Sequence, residues 1–388
     1  MSKRFVYADN AATTAVFKEV VDEMLPFFTE NYGNASSLYS LGRGAKKALD
    51  TARSEIAAIL NCDAGEIFFT SGGSESDNWA IKGAATALSK KGKHIITSKI
   101  EHPAVMNTLK SLQKEGFEIT MLDVYENGIV RPEDFEAAIR EDTVFATVMF
   151  ANNEIGTIQP IKELARISKE HGIVFFTDAV QAVGHVDIDL KELGVDMLAF
   201  SGHKIHAPRG IGVLYVKKGT KLNNLIDGGG QEKRKRSGTE NVAGAVAIAK
   251  ALKMMTDEEG LKKRAEVLRL RNMLCEKLLT LKKVRLNGDP ENRLYGNLNV
   301  SCEGVEGEAL ILWLDLMGVC VSTGSACSTA SLDPSHVLLA IGLPHEIAHG
   351  SLRITLDFEN TEEDVEYIFN AVKEVLQKLR SMSPIWND

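Results

Sequence analysis

Lys204 closes the stretch Ser201-Gly202-His203-Lys204, directly after the apolar run Met197–Phe200. A lysine at the end of a buried strand is hard to explain as core. Desolvation disfavours its ammonium form, and the free amine is the nucleophile that condenses with an aldehyde. Asp178 ends a second run, Ile173–Thr177, with Gln181 three residues on. A carboxylate there needs a partner, either as a helix N-cap or as the counter-charge of a protonated ring nitrogen. The stretch Thr70-Ser71-Gly72-Gly73-Ser74-Glu75-Ser76-Asp77 follows a third run, Glu66–Thr70. Small residues at a strand-to-helix turn expose N–H groups and a helix N-terminus, which suits an anion as well as a tight turn. It matches neither GxGxxG nor GxxxxGK[ST], so no dinucleotide or P-loop nucleotide is indicated.

The order of these three stretches carries more than any one of them. A phosphate-type turn holding Gly73 and Ser74, a strand-end Asp178, and Lys204 on the next strand together suit pyridoxal phosphate. The turn would take the phosphate, the aspartate the ring nitrogen and the lysine the aldehyde. His102, in Glu101-His102-Pro103-Ala104, reads as a ring-stacking or acid–base group, or as a capping histidine. Asn152-Asn153-Glu154 reads as a polar turn at the end of a further strand. Arg353 stands alone in the apolar stretch SLRITL and calls for a buried anion, either an internal carboxylate or a substrate's. Gly228-Gly229-Gly230 and Arg236-Ser237-Gly238-Thr239 form a glycine-rich, basic segment suited to a second phosphate contact. Cys327, in STGSACSTAS, has no large apolar neighbour between Ser322 and Ser331, an unusual setting for a free cysteine.

These residues need a scaffold that brings strand ends together. Short apolar runs recur at 66–70, 94–97, 117–122, 144–149, 173–177, 197–200 and 211–216, with helical spacing between most of them. One such helix runs from Pro160 to His171, with Ile161, Leu164, Ala165 and Ile167 on one face and Gly172 as its stop. The alternation predicts an α/β fold with a mostly parallel sheet covered by helices, whose ligands sit at the carboxyl ends of the strands. Beyond about residue 240 the texture changes. Helical stretches at 245–255 and 259–282, strand-like pieces at 297–301 and 352–356, and a last helix opened by Thr361 and Asp364 predict a smaller α+β unit. We expect a large domain at 15–256, and a small one made of 1–14 and 257–388 that carries the Cys327 loop.

Composition narrows the function classes. The 388 residues include 45 Lys and Arg against 53 Asp and Glu, a net charge of −8 that argues against nucleic acid or an anionic membrane as partner. No run approaches a membrane span or a signal peptide. Five scattered cysteines (Cys62, Cys275, Cys302, Cys320, Cys327) without a CxxC pair fit a reducing cytoplasm and no metal site.

The whole chain resembles the cysteine desulfurases of the NifS/IscS type. The motifs that carry the likeness are DNAATT (9–14), YGNASS (32–37), TSGGSES (70–76), EHPAV (101–105), NNEIG (152–156), TDAVQAVG (177–184), SGHK (201–204), GGGQE (228–232), RSGTENV (236–242), STGSAC (322–327) and LRITL (352–356). The resemblance implies the aspartate-aminotransferase fold (fold type I), a homodimer and bound pyridoxal phosphate. It implies that Lys204 binds the cofactor's aldehyde and shuttles protons, that Asp178 pairs with the ring nitrogen and Gln181 with the phenolic oxygen, and that His102 stacks on the ring. Gly73, Ser74, Ser201 and His203 would hold the phosphate, joined by Thr239 from the other subunit. Asn153 and Arg353 would bind the substrate carboxylate, and Cys327 would accept sulfur from L-cysteine as a persulfide. The long run from Ser322 to His336 resembles the long-loop subgroup, which passes sulfur to an iron–sulfur scaffold or another acceptor. The alternatives are a selenocysteine lyase, another pyridoxal-phosphate lyase or aminotransferase, and a sulfur-relay scaffold with reduced activity. Ala207-Pro208-Arg209 stands where the family usually has Gly-Pro-Lys, which matters if the backbone there needs a glycine.

Overall fold

The computed structural model describes residues 4–323, 334–383 and 386. Seven strands form the central sheet, in the spatial order Ile67–Thr70, Gly212–Val216, Met197–Ser201, Val174–Asp178, Thr143–Thr147, His94–Ser98, Glu118–Leu122. All are mutually parallel except Gly212–Val216, which runs against both of its neighbours. Strands such as Thr143–Thr147 and Met197–Ser201 are buried at every position, which explains their continuous apolar character. Glu118–Leu122 lies at the edge and buries only Leu122, so it tolerates Glu118 and Thr120.

The sheet separates two hydrophobic cores. On one face Ile96, Ala146, Phe175, Leu198 and Phe200 meet Leu49, Ile56, Ile248 and Leu252 from helices Ser40–Ile59 and Val242–Thr256. On the other, Ile95, Phe145, Phe176 and Ala199 meet Trp79, Ile81 and Leu109 from helices Gly73–Leu88 and Pro103–Lys114. Trp79 is fully buried, and its indole N–H donates to the Asn223 carbonyl at 3.0 Å. Truncating such a residue to alanine costs about 3–5 kcal/mol. A third core lies under the antiparallel sheet Ser351–Thr355, Asn297–Cys302, Val284–Leu286. It joins Leu298, Val300, Leu352 and Ile354 to Val365, Ile368 and Val372 of helix Glu362–Met382, and to Val6 and Ala8 from the N-terminal segment. Leu294, Val337, Leu338, Ile341, Leu343 and Ala348 pack instead on the first core, so the 257–388 stretch reaches across to the large sheet.

Two local details set up the site. The apolar run 144–149 leaves the sheet ladder after Thr147, and the Phe150 N–H donates to the Asp178 carbonyl at 2.8 Å. The chain there turns away to carry Met149, Ala151 and Asn153 to the sheet's rim. Thr361 and Asp364 close the reciprocal capping box expected from their spacing. The carboxyl ends of the parallel strands, at Thr70, Ser98, Thr147, Asp178 and Ser201, open on one rim, the position at which ligands bind in open α/β sheets.

Candidate active site

That rim encloses a cavity of about 420 Å³. Gly73, Ser74, His102, Asn153, Asp178, Gln181, Ser201, His203, Lys204 and Arg353 all line it. A larger depression of about 750 Å³ lies over helix Ser40–Ile59. It is open to solvent and lined by Lys46, Lys47, Asp50 and Glu55, without convergent buried groups, so volume alone does not pick the site. Thr239 is exposed and lines neither space in this chain, and Cys327 lies outside the described residues.

The phosphate end is built from backbone. Helix Gly73–Leu88 begins at the rim, and a Cβ on Gly73 would meet Val180 Cγ2 at 2.7 Å. A Cβ on Gly212, in the adjacent strand, would meet the Gly72 backbone at 2.6 Å. Only glycines allow this approach, which leaves the helix's first N–H groups facing the cavity beside the Ser74 and Ser201 hydroxyls. Burial, then the neighbouring Lys204 and Arg209 charges, pull the His203 imidazole down to about 4, so it is a neutral hydrogen-bonding group. Arg236 does not face this end. Its guanidinium grips Glu75 through Nε to Oε1 at 2.7 Å and Nη2 to Oε2 at 3.0 Å.

The middle of the cavity brings Asp178, His102, Gln181 and Lys204 together. Asp178 Oδ1 accepts the Val180 N–H at 2.9 Å. Burial raises the Asp178 carboxyl, against the pull of His102, the Val180 N–H and Lys204. His102 caps helix Pro103–Lys114, and its Nδ1 accepts the Ala104 N–H at 3.1 Å. Burial lowers its affinity for a second proton, so the neutral ring carries its hydrogen on Nε2. Gln181 Nε2 donates to the Ala11 carbonyl at 3.0 Å. The Lys204 amine donates to the Ala11 and Ala12 carbonyls at 2.6 and 2.7 Å. Its own carbonyl accepts from His185 Nε2 at 3.0 Å, and His185 Nδ1 meets the Tyr295 hydroxyl at 2.9 Å, which fixes the backbone behind the amine.

Arg353 meets an internal carboxylate. Its Nη2 donates to Asp9 Oδ1 at 2.8 Å and its Nη1 to the Asn153 carbonyl at 3.0 Å. Its Nε is buried without a partner among the described residues, a donor left over beside the cavity. The departure at Ala207 leaves the backbone unstrained: the left-handed residue is His206, at φ 61°, and Ala207 has no positive φ.

Several groups at the site escaped the sequence reading. Asp77 lines the cavity, and its carboxylate, that of Asp178 and the His102 ring place ligand-type atoms within 4.8 Å of one another. Glu101 is fully buried, and burial pushes its carboxyl up to about 8 although Ser98 and the Met149 N–H bond to it. Glu154 lines the cavity, pushed by burial up to about 7. Asp9 neutralises Arg353. The glycine cradle, the amine at a strand end, a buried carboxyl aimed into the cavity and the spare arginine donor fit pyridoxal phosphate, an anion at one end and a protonatable ring at the other. Bound there, it would lie with its phosphate on Gly73, Ser74, Ser201 and His203.

Comparisons with known proteins give the chain's family. The profile of the family "Aminotransferase class-V" matches residues 6–368. The chain is 53% identical to a cysteine desulfurase IscS of Clostridium botulinum over 99% of its length and 97% of the relative's. It is 54% identical to a cysteine desulfurase IscS of Methanosarcina thermophila, over 98% of this chain and 94% of that one. A solved structure of a NifS-like protein superposes with a TM-score of 0.91 at 38% identity, covering 97% of this chain and all of the other. The chain belongs to the class-V aminotransferase family of pyridoxal-phosphate enzymes and, within it, to the cysteine desulfurases.

Proposed function

We propose that this chain converts L-cysteine to L-alanine and takes the released sulfur onto Cys327 as a persulfide. The observation that carries the reading is the single cavity shared by the Lys204 amine, the Asp178 carboxyl, the His102 ring and the buried Arg353 guanidinium. Bound pyridoxal phosphate supplies an electron sink that stabilises negative charge at the substrate's Cα. Asp178 would pair with the ring nitrogen and favour its protonated form. Gln181 would donate to the phenolic oxygen, and His102 would cover the ring face. Lys204 Nζ removes the substrate's α-proton and returns it to the product. Arg353, with Asn153, holds the substrate carboxylate and so orients the Cα–H bond toward that amine. Gly73, Ser74, Ser201 and His203 would hold the phosphate, and Thr239 of a second copy would complete the ring of donors.

The sulfur step belongs to a thiolate. Cys327 Sγ attacks the substrate sulfur, an S–S bond forms, the substrate Cβ–S bond breaks, and the electron pair and a proton go to the carbon skeleton that leaves as alanine. None of the four described cysteines lines the cavity. Burial pushes Cys62 and Cys302 up to about 12 and also raises Cys275 and Cys320, so none of these is poised as a thiolate. The persulfide then passes to an iron–sulfur scaffold or another acceptor protein in the cytoplasm, from a homodimer. Among the described residues no helix is long and apolar enough to cross a membrane. Incubation with L-cysteine followed by mass analysis of the peptide holding Cys327 tests this. A mass gain of one sulfur on that peptide is expected; a gain confined to another cysteine, or none, overturns it.

A further inference from the structure

Asp77 interrupts the buried stripe of helix Gly73–Leu88. Asp77, Ile81, Ala84 and Leu88 lie on one face, and all are buried. Asp77 is 1% exposed, and its Oδ1 has no hydrogen-bond partner among the described residues. The helix crosses strands Thr143–Thr147, Val174–Asp178 and Met197–Ser201. Strand alternation puts Asp178, Thr147 and Thr97 on the face it covers, the same face as Ile95, Phe145, Phe176 and Ala199. Thr97 and Thr147 are register partners, and their hydroxyls are likewise buried without partners. Buried polar atoms thus share this face of the sheet, and Asp77 and Asp178 are the ones among them that line the cavity.

Two carboxylates this close in a dry site do not both ionise. The titratable groups that face the pair are Glu101 and His102, between strand His94–Ser98 and helix Pro103–Lys114, and Lys204, after strand Met197–Ser201. The surroundings decide which acid keeps its proton. Asp178 has the Val180 N–H, His102 and Lys204 in favour of its charged form. Asp77 has burial, then Asp178 and Glu101, all against it.

We propose that Asp77 is a positioning residue: it stays protonated and donates a hydrogen bond to the Asp178 carboxylate, aiming that carboxylate at the cofactor's protonated ring nitrogen. This rests on the pyridoxal-phosphate reading of the site, and adds which of the two acids holds the proton. The pair then carries one negative charge, matched by one ring N–H⁺. An asparagine amide reproduces the neutral donor, whereas an alanine removes it.

The test is a cofactor titration of apo wild type, Asp77→Asn and Asp77→Ala. The visible band of the bound cofactor reads the affinity, and the pH midpoint of that band reads the charge beneath the ring. Asp77→Asn is expected to stay within about twofold of wild type with an unmoved midpoint, while Asp77→Ala loses about tenfold or more in affinity. An Asn variant whose midpoint moves as far as the alanine's, or an alanine variant that binds like wild type, overturns the proposal. If the alanine variant does not fold, apo thermal melts decide. Wild type should lose stability relative to Asp77→Asn as pH rises from about 5 to about 8, and parallel curves overturn the proposal. Wild type that shows no visible band at all would instead sink the reading of the site.

Discussion

Two buried pairs flank Lys204, and they are built on opposite principles. Behind it, His206 Nε2 meets Asp357 Oδ2 at 2.9 Å and His206 Nδ1 meets the Ala15 carbonyl at 2.8 Å. Both ring nitrogens face oxygen atoms. The ring stacks on Phe17 at 3.9 Å between centroids, and Phe358 lies 5.9 Å away. Burial alone would raise the Asp357 carboxyl, but the His206 bond and charge, with His185 and the Phe358 N–H, bring it below its ordinary range. In front of Lys204, Asp77 and Asp178 are like groups, both raised by burial, and Asp77 Oδ1 has no partner among the described residues. The first pair ties the segment after Lys204 to the 357–358 turn of the smaller sheet's unit. The second is costly in the absence of a ligand that brings its own proton and positive charge. A fold keeps such a cluster where binding, not folding, will satisfy it.

The sharpest way to break this contrast is Asp178→Asn. On the proposed reading desulfuration falls on the order of 10²–10⁴-fold, because the neutral amide cannot hold the ring nitrogen protonated, while the apo protein is no less stable at neutral pH. Steady-state sulfide release and an apo melt measure the two together; loss of stability in step with activity would contradict the contrast. His206→Ala does the reverse. It leaves Asp357 buried and unpaired and empties the slot beside Phe17, so the apo unfolding free energy should fall by about 3–5 kcal/mol in a denaturant titration. His206→Asn, which tolerates the left-handed backbone and keeps a donor, should lose less. Equal losses would mean that packing, not the ion pair, holds that turn.

The inner strands of the large sheet were legible because they are buried on both faces, so apolar runs mark them: IVFFT gives Val174–Asp178 and MLAF gives Met197–Ser201. The pairing Val6–Tyr7 with Val319–Cys320 was not, since two-residue strands so far apart in the chain carry no periodicity. At the site, residues that end strands stood out because polarity is abrupt there, as at Asp178 and Lys204. Asp77 did not, because it hides among Ser74, Glu75, Ser76 and Asn78 in a polar first turn. The signal was present in its spacing, four residues before Ile81 and eleven before Leu88, a charge on an apolar stripe. Arg353 announced a buried anion, but the sequence left open whether the partner was internal, and Asp9, 344 residues away, is visible only once the chain is folded.

Glu101 sharpens the contrast with the smallest effect. Its Oε1 accepts from the Ser98 hydroxyl at 2.6 Å and the Met149 N–H at 2.9 Å, while Oε2 is buried without a partner among the described residues. Burial is the main reason that its carboxyl is pushed from 4.5 up to about 8, and the Asp178 charge adds to it. The folded state therefore prefers the protonated form more than the unfolded chain does. That contribution to stability is fully present below about pH 4.5 and drains away as pH rises toward 8. Glutamine copies the protonated shape and cannot ionise. Apo Glu101→Gln should match wild type near pH 5 and exceed it by roughly 1–3 kcal/mol above pH 8, read from denaturant midpoints across that range. If the two proteins keep a constant difference at every pH, Glu101 is ionised throughout, and the acidic floor of the cavity is less desolvated than the His206–Asp357 pair behind it.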